Sequence, residues 1–98
     1  MNLSYQARSG NLKAIKEMVK HQNVNVNAMD KKGKTALMWA ANYGHIEVVK
    51  FLVKSGADVN IADNKGRTAL IIARKNQMPF NRYREIVKYL DRLKNKKM

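Results

Sequence analysis

Asp30–Ala62 reads DKKGKTALMWAANYGHIEVVKFLVKSGADVNIA. In order it is a polar turn, a short apolar helix, a glycine break, a second helix, another glycine break and an extended tail. Asp30-Lys31-Lys32-Gly33 suits a type I turn, because Asp at the first position bonds the backbone ahead and Gly at the last accepts positive φ. Thr35 stands where an N-cap oxygen is wanted. Leu37, Ala40 and Ala41 form a small apolar stripe at helical spacing, with side chains short enough for helices to approach closely. Gly44 is placed to end this helix in a left-handed conformation. Glu47 lies in the first turn of the next helix, where its charge suits the dipole. Val48, Val49, Leu52 and Val53 form the buried face of that helix, Lys50 and Lys54 point out, and Gly56 ends it.

Working outward, the stretch is copied on both sides. DKKGKTAL at Asp30–Leu37 returns as DNKGRTAL at Asp63–Leu70, an offset of 33. EVVKFL at Glu47–Leu52 returns as EIVKYL at Glu85–Leu90, an offset of 38, so five residues are inserted between the two helices of the later copy. Upstream, YQARSGNLKAIKEMV at Tyr5–Val19 lies over WAANYGHIEVVKFLV at Trp39–Val53 with an offset of 34. This first copy has no turn of its own and begins directly with a helix. A period of 33 residues is a solenoid length.

These residues resemble the ankyrin-repeat family. The match runs through Asp30, Gly33, Thr35, Leu37, Ala40, Ala41, Gly44, His45, Glu47, Val48, Val49, Leu52 and Gly56-Ala57-Asp58-Val59-Asn60. Where the family usually has Pro after the Thr and His after the Leu, this chain has Ala36 or Ala69 and Met38 or Ile71. The resemblance implies an all-α solenoid of stacked helix-turn-helix units joined by β-turn or hairpin loops. It divides the single domain, residues 1–98, into an N-terminal capping repeat (1–29), a full repeat (30–62) and a C-terminal capping repeat with an inter-helix insertion (63–98).

Stacking supplies the core that no single repeat has alone. The end repeats are then expected to be polar outside, with Lys13, Lys16, Glu17 and Lys20 at one end and Arg84, Lys88, Arg92, Lys94, Lys96 and Lys97 at the other. Tyr83, Ile86, Val87, Leu90 and Leu93 share one helical stripe and read as core. Met78-Pro79-Phe80, in the insertion, reads either as an exposed contact loop or as a lid folded over the last repeat.

Twenty Lys plus Arg against seven Asp plus Glu give a net charge of +13. Such a field favours an anionic partner: an acidic protein surface, a nucleic acid or an anionic lipid. The absence of cysteine excludes disulfides and thiolate chemistry. No apolar run approaches the roughly 18–20 residues that cross a bilayer. The N-terminal stretch lacks the apolar segment of a secretory signal. The expected location is the cytoplasm, and the charged caps suggest a monomer.

Catalysis has little to stand on. His21, His45, Ser4, Ser9 and Ser55 form no nucleophile–base pair in the repeat register, and His45 is expected to make a structural hydrogen bond. No spacing of His or carboxylates suggests a metal, and no cofactor motif is present. The chain reads as a non-enzymatic binding module.

In the resembled family, the first helix of each repeat and the turn tips face a concave groove that binds partners. The positions the pattern leaves variable there are Lys31, Lys32 and Lys34, then Asn64, Lys65 and Arg67. Trp39, Asn42, Tyr43, Arg74 and Lys75 come from the adjoining helices. Trp39 and Tyr43 read either as contact anchors or as packing between helices. Asp30 and Asp63 are expected to be consumed by their turns. The reading favours protein–protein interaction with an acidic surface or peptide. The alternative is nucleic-acid or polyanion binding through the same face, although no helix-turn-helix, RNA-recognition or zinc-finger pattern supports it.

Overall fold

The computed structural model describes residues 2–76 and 81–95. The described residues form six helices and no strand: α1 (Leu3–Ser9), α2 (Leu12–His21), α3 (Ala36–Tyr43), α4 (Ile46–Lys54), α5 (Ala69–Asn76) and α6 (Asn81–Asn95). The Met78-Pro79-Phe80 segment lies outside the described residues.

Local chemistry sets the helix ends as the sequence suggests. Thr35 caps α3, its hydroxyl oxygen accepting from the Met38 amide at 3.3 Å, and Thr68 does the same for Ile71. Gly44 ends α3 at φ 76°, and its amide bonds back to the Ala41 carbonyl. Asn2 and Asn11 cap the two helices of the first copy, accepting from Tyr5 and Ala14.

α1, α3 and α5 pack side by side as an inner row. α2, α4 and α6 form an outer row, each against the inner helix that precedes it. The core lies between the rows: Ile15, Val48, Val49, Leu52, Ile86 and Leu90 from outside meet Ala7, Leu37, Ala40, Ala41 and Ala73 from inside. Burying a Leu, Ile or Val side chain contributes about 1.5–3 kcal/mol, so these residues dominate the stability. Ala40 and Ala41 are fully buried, which is why the inner row tolerates nothing larger there.

In the last helix only part of the predicted stripe is core. Ile86 and Leu90 are buried, while Tyr83, Val87 and Leu93 are half-buried. Tyr83 has a polar task instead: its hydroxyl donates to the Asn42 carbonyl at 3.0 Å. In the preceding repeat, His45 Nε2 pairs with the Arg8 carbonyl at the same distance. Arg8 and Asn42 are equivalent by the 34-residue offset, and His45 and Tyr83 by the 38-residue offset. The structural role expected of His45 is therefore present, and Tyr83 performs it one repeat later.

The ends are less polar than the caps suggest. Lys13, Lys16, Glu17, Lys20, Arg84, Lys88, Arg92 and Lys94 are exposed as expected. So are Tyr5, Met29 and Ile71. Ile71 repeats Met38, which is buried beneath the next repeat; at the end of the stack Ile71 is 40% exposed.

Candidate partner-binding face

The turn tips are built around two carboxylates. At the first, the Gly33 amide donates to the Asp30 carbonyl, and Asp30 Oδ1 accepts from the Lys32 and Lys34 amides, all at 2.9 Å. The second tip repeats this with Asp63, Lys65, Gly66 and Arg67. Each turn thus consumes one oxygen of its own aspartate.

The remaining oxygens have different fates. Asp30 Oδ2 accepts the Trp39 indole N–H at 3.0 Å. This ties the turn to its helix although Met38 and Ile71 stand where the resembled pattern has His. Asp63 Oδ2 takes the Lys34 ammonium of the preceding tip at 2.7 Å and the Arg67 guanidinium at 3.1 Å. Burial alone would raise the Asp63 carboxyl. The Lys34 ammonium, the Arg67 amide and guanidinium and the Lys65 amide outweigh it and hold the group well below its ordinary range. Asp30 is lowered too: the cost of burial is overcome by the Lys34 amide, the Trp39 indole, the Lys32 amide and the Lys34 charge.

The tips are also stitched to one another. The Asn64 amide donates to the Lys32 carbonyl at 3.0 Å, and its side-chain amide to the Lys31 carbonyl at 3.2 Å. Asn64 therefore spends its side chain within the fold. Lys31, Lys32 and Lys65 are exposed, and no acid pairs with them among the described residues. Lys34 and Arg67 are half-buried and share the one charge of Asp63.

Along the inner helices the chain forms two clefts on a shared wall, Trp39. One, of about 330 Å³, brings together five of the predicted residues: Lys34, Trp39, Asn42, Arg67 and Lys75. Ile72 and Asn76 complete it. Asn76 donates to the Asn42 side-chain oxygen at 3.0 Å and to the Ile72 carbonyl at 3.1 Å, which fixes that end of the cleft. The other cleft, of about 230 Å³, is lined by Asn2, Ser4, Tyr5, Arg8, Asp30 and Trp39. A third hollow, of about 290 Å³, lies between the tips at Lys32, Lys34, Asn64, Lys65 and Arg67, around Asp63.

Trp39 and Tyr43 stack on each other, with centroids 6.1 Å apart. Trp39 is half-buried and Tyr43 is exposed, so Trp39 serves as wall and packing at once. Arg74 is not brought to this face. It repeats the buried Ala41, and at the end of the stack it pairs with Asp91 of α6 at 3.3 Å, beside a hollow lined by Ile71, Leu90 and Lys94. Two residues of the face escaped the sequence reading. Arg8 holds the Asn42 position of the looser first copy, and Tyr5 the Trp39 position; the 34-residue offset was the signal that could have found them.

The comparison that decides the family is an ankyrin-repeat model, described as three copies, which matches residues 3–97. The chain belongs to the ankyrin-repeat family. Ankyrin repeats are generally non-catalytic protein–protein interaction modules. Among curated relatives, it is 42% identical over 57 residues to the palmitoyltransferase akr1 of Schizosaccharomyces pombe, a match covering 58% of this chain and 9% of that protein. It is 38% identical over 58 residues to the human DNA-binding protein RFXANK, covering 59% and 22%. It is 42% identical over 52 residues to mouse ankyrin repeat family A protein 2, covering 53% and 16%. The matches thus span less than a quarter of each of these relatives. No helix among the described residues is long and apolar enough to cross a membrane.

Proposed function

We propose that this ankyrin-repeat chain is a non-catalytic adaptor that grips an acidic segment of a protein partner along the inner helices and turn tips. One observation carries the reading. Every carboxylate oxygen of the two tip aspartates accepts at least one internal donor, while Lys31, Lys32, Lys65 and Lys75 stay exposed and without an acid partner among the described residues. The face therefore offers unpaired cations, while its aspartates are engaged by internal donors, Asp63 buried and Asp30 exposed. Trp39, between two clefts, supplies the apolar anchor that a specific interface needs.

The +13 charge supports nucleic acid as a second reading, and one relative is named a DNA-binding protein. Salt separates the two. Nucleic-acid affinity falls by about one logarithmic unit per phosphate contacted for each tenfold rise in salt, whatever the sequence.

The test is affinity capture from the native cell by the wild-type chain and by two charge-reversed variants. Reversing Lys31, Lys32, Lys65 and Lys75 to Glu is expected to abolish capture of the partner with an unchanged far-UV circular dichroism spectrum. Lys34 and Arg67 are spared because they hold Asp63. Equal loss on reversing Lys13, Lys16 and Lys20 instead would move the site to the outer helices and contradict the reading.

A further inference from the structure

Arg8 differs from the other cations of this face. Its guanidinium carbon lies 5.5 Å from the Trp39 ring centroid and 5.6 Å from that of Tyr43. The two ring planes are inclined by only 15°. One guanidinium is thus held over two stacked rings, each contact an attraction between the cation and the negative face of the ring.

Its N–H donors remain available. Among the described residues no hydrogen bond or ion pair engages the Arg8 side chain. Asp30 lines the same cleft, yet its oxygens already accept from the Lys32 and Lys34 amides and the Trp39 indole. Lys34 and Arg67, by contrast, are bound to Asp63. A planar fork fixed by its aromatic neighbours loses little side-chain freedom when it takes up a planar oxyanion, and it does so through two parallel hydrogen bonds.

We propose that Arg8, held by Trp39 and Tyr43, is the specificity-determining residue of the groove, and that it takes a side-chain carboxylate of the partner in bidentate geometry. This rests on the acidic-partner reading above. It assigns the groove an end: the acidic side chain sits at Arg8, and the chain that bears it crosses Trp39 toward Lys75.

Trp39 is the only tryptophan, so its fluorescence reports on this spot. The experiment is a calorimetric titration with N-acetylated, C-amidated octaglutamate, followed in parallel by Trp39 emission. The variants are Arg8→Lys, which keeps the charge and removes the fork, and Lys54→Ala, which removes an exposed charge from the outer row. Wild type is expected to bind saturably with a change in Trp39 emission. Arg8→Lys is expected to bind at least about tenfold more weakly, the loss of one charge-assisted contact. Lys54→Ala is expected to stay within about twofold, as a rim charge does. Arg8→Lys binding like wild type, or binding that leaves Trp39 emission unchanged, overturns the role of Arg8 while the acidic-partner reading stands. Wild type failing to bind octaglutamate, or preferring octathymidylate, overturns both.

Discussion

Asp63 shows how one residue can serve turn, neighbour and charge balance together. Its side chain is almost wholly buried and receives two backbone amides, the Lys34 ammonium and the Arg67 guanidinium. Removing its charge would strand two cations and the donors aimed at it. Asp63→Asn is expected to cost about 2–3 kcal/mol at neutral pH, read from the urea midpoint. The pH dependence follows from the direction of the shift. The folded carboxyl lies below the ordinary value of 3.8, which the unfolded chain keeps. Its contribution is therefore complete above that value and is lost as the pH falls below it. Asp63→Asn should unfold with a shallower acid limb than wild type. An unchanged midpoint and an unchanged limb would mean that the Lys34–Asp63 pair contributes nothing.

At the scale of the element, the tie between successive repeats is a hydrogen bond from the start of an outer helix to a last-turn carbonyl of the inner helix of the preceding repeat. His45 makes it to Arg8, and Tyr83 to Asn42. Tyr83→Phe keeps the ring and deletes the donor, and it is expected to cost about 1 kcal/mol. Thermal unfolding measures it, and no change in midpoint would contradict the tie. The turns, the threonine caps, Gly44 and, in α4, buried Val48, Val49 and Leu52 were legible because each depends on residues within a few positions of one another, whereas Val53, read as buried, is half-buried. The 38-residue offset also placed Tyr83 over His45, but its spacing with Ile86 and Leu90 made it read as core. The Lys34–Asp63 pair and the Arg8–Trp39–Tyr43 cluster were not legible. Each joins residues about 30 positions apart in neighbouring repeats, and such contacts exist only once the repeats are stacked in a definite register.

At the scale of the molecule, stacking does two things at once. It buries Leu52, Ile86 and the alanines in one continuous core, and it aligns successive tips so that Asp63 is buried against Lys34 while Lys31, Lys32 and Lys65 stay exposed. Exposed Lys31, Lys32, Lys65 and Lys75 then stand around Trp39, and these are the cations that the proposed function assigns to the partner. The binding reading stands on that alignment. The most direct measurement is an amide and indole correlation spectrum of the isotope-labelled chain during titration with an acidic peptide. Shifts confined to the Trp39 indole, Arg8, Asn42, Lys65 and Lys75 are the predicted result. Shifts centred on Lys16, Lys20, Lys50, Lys54 and Lys88 of the outer row, with Trp39 unmoved, would contradict it.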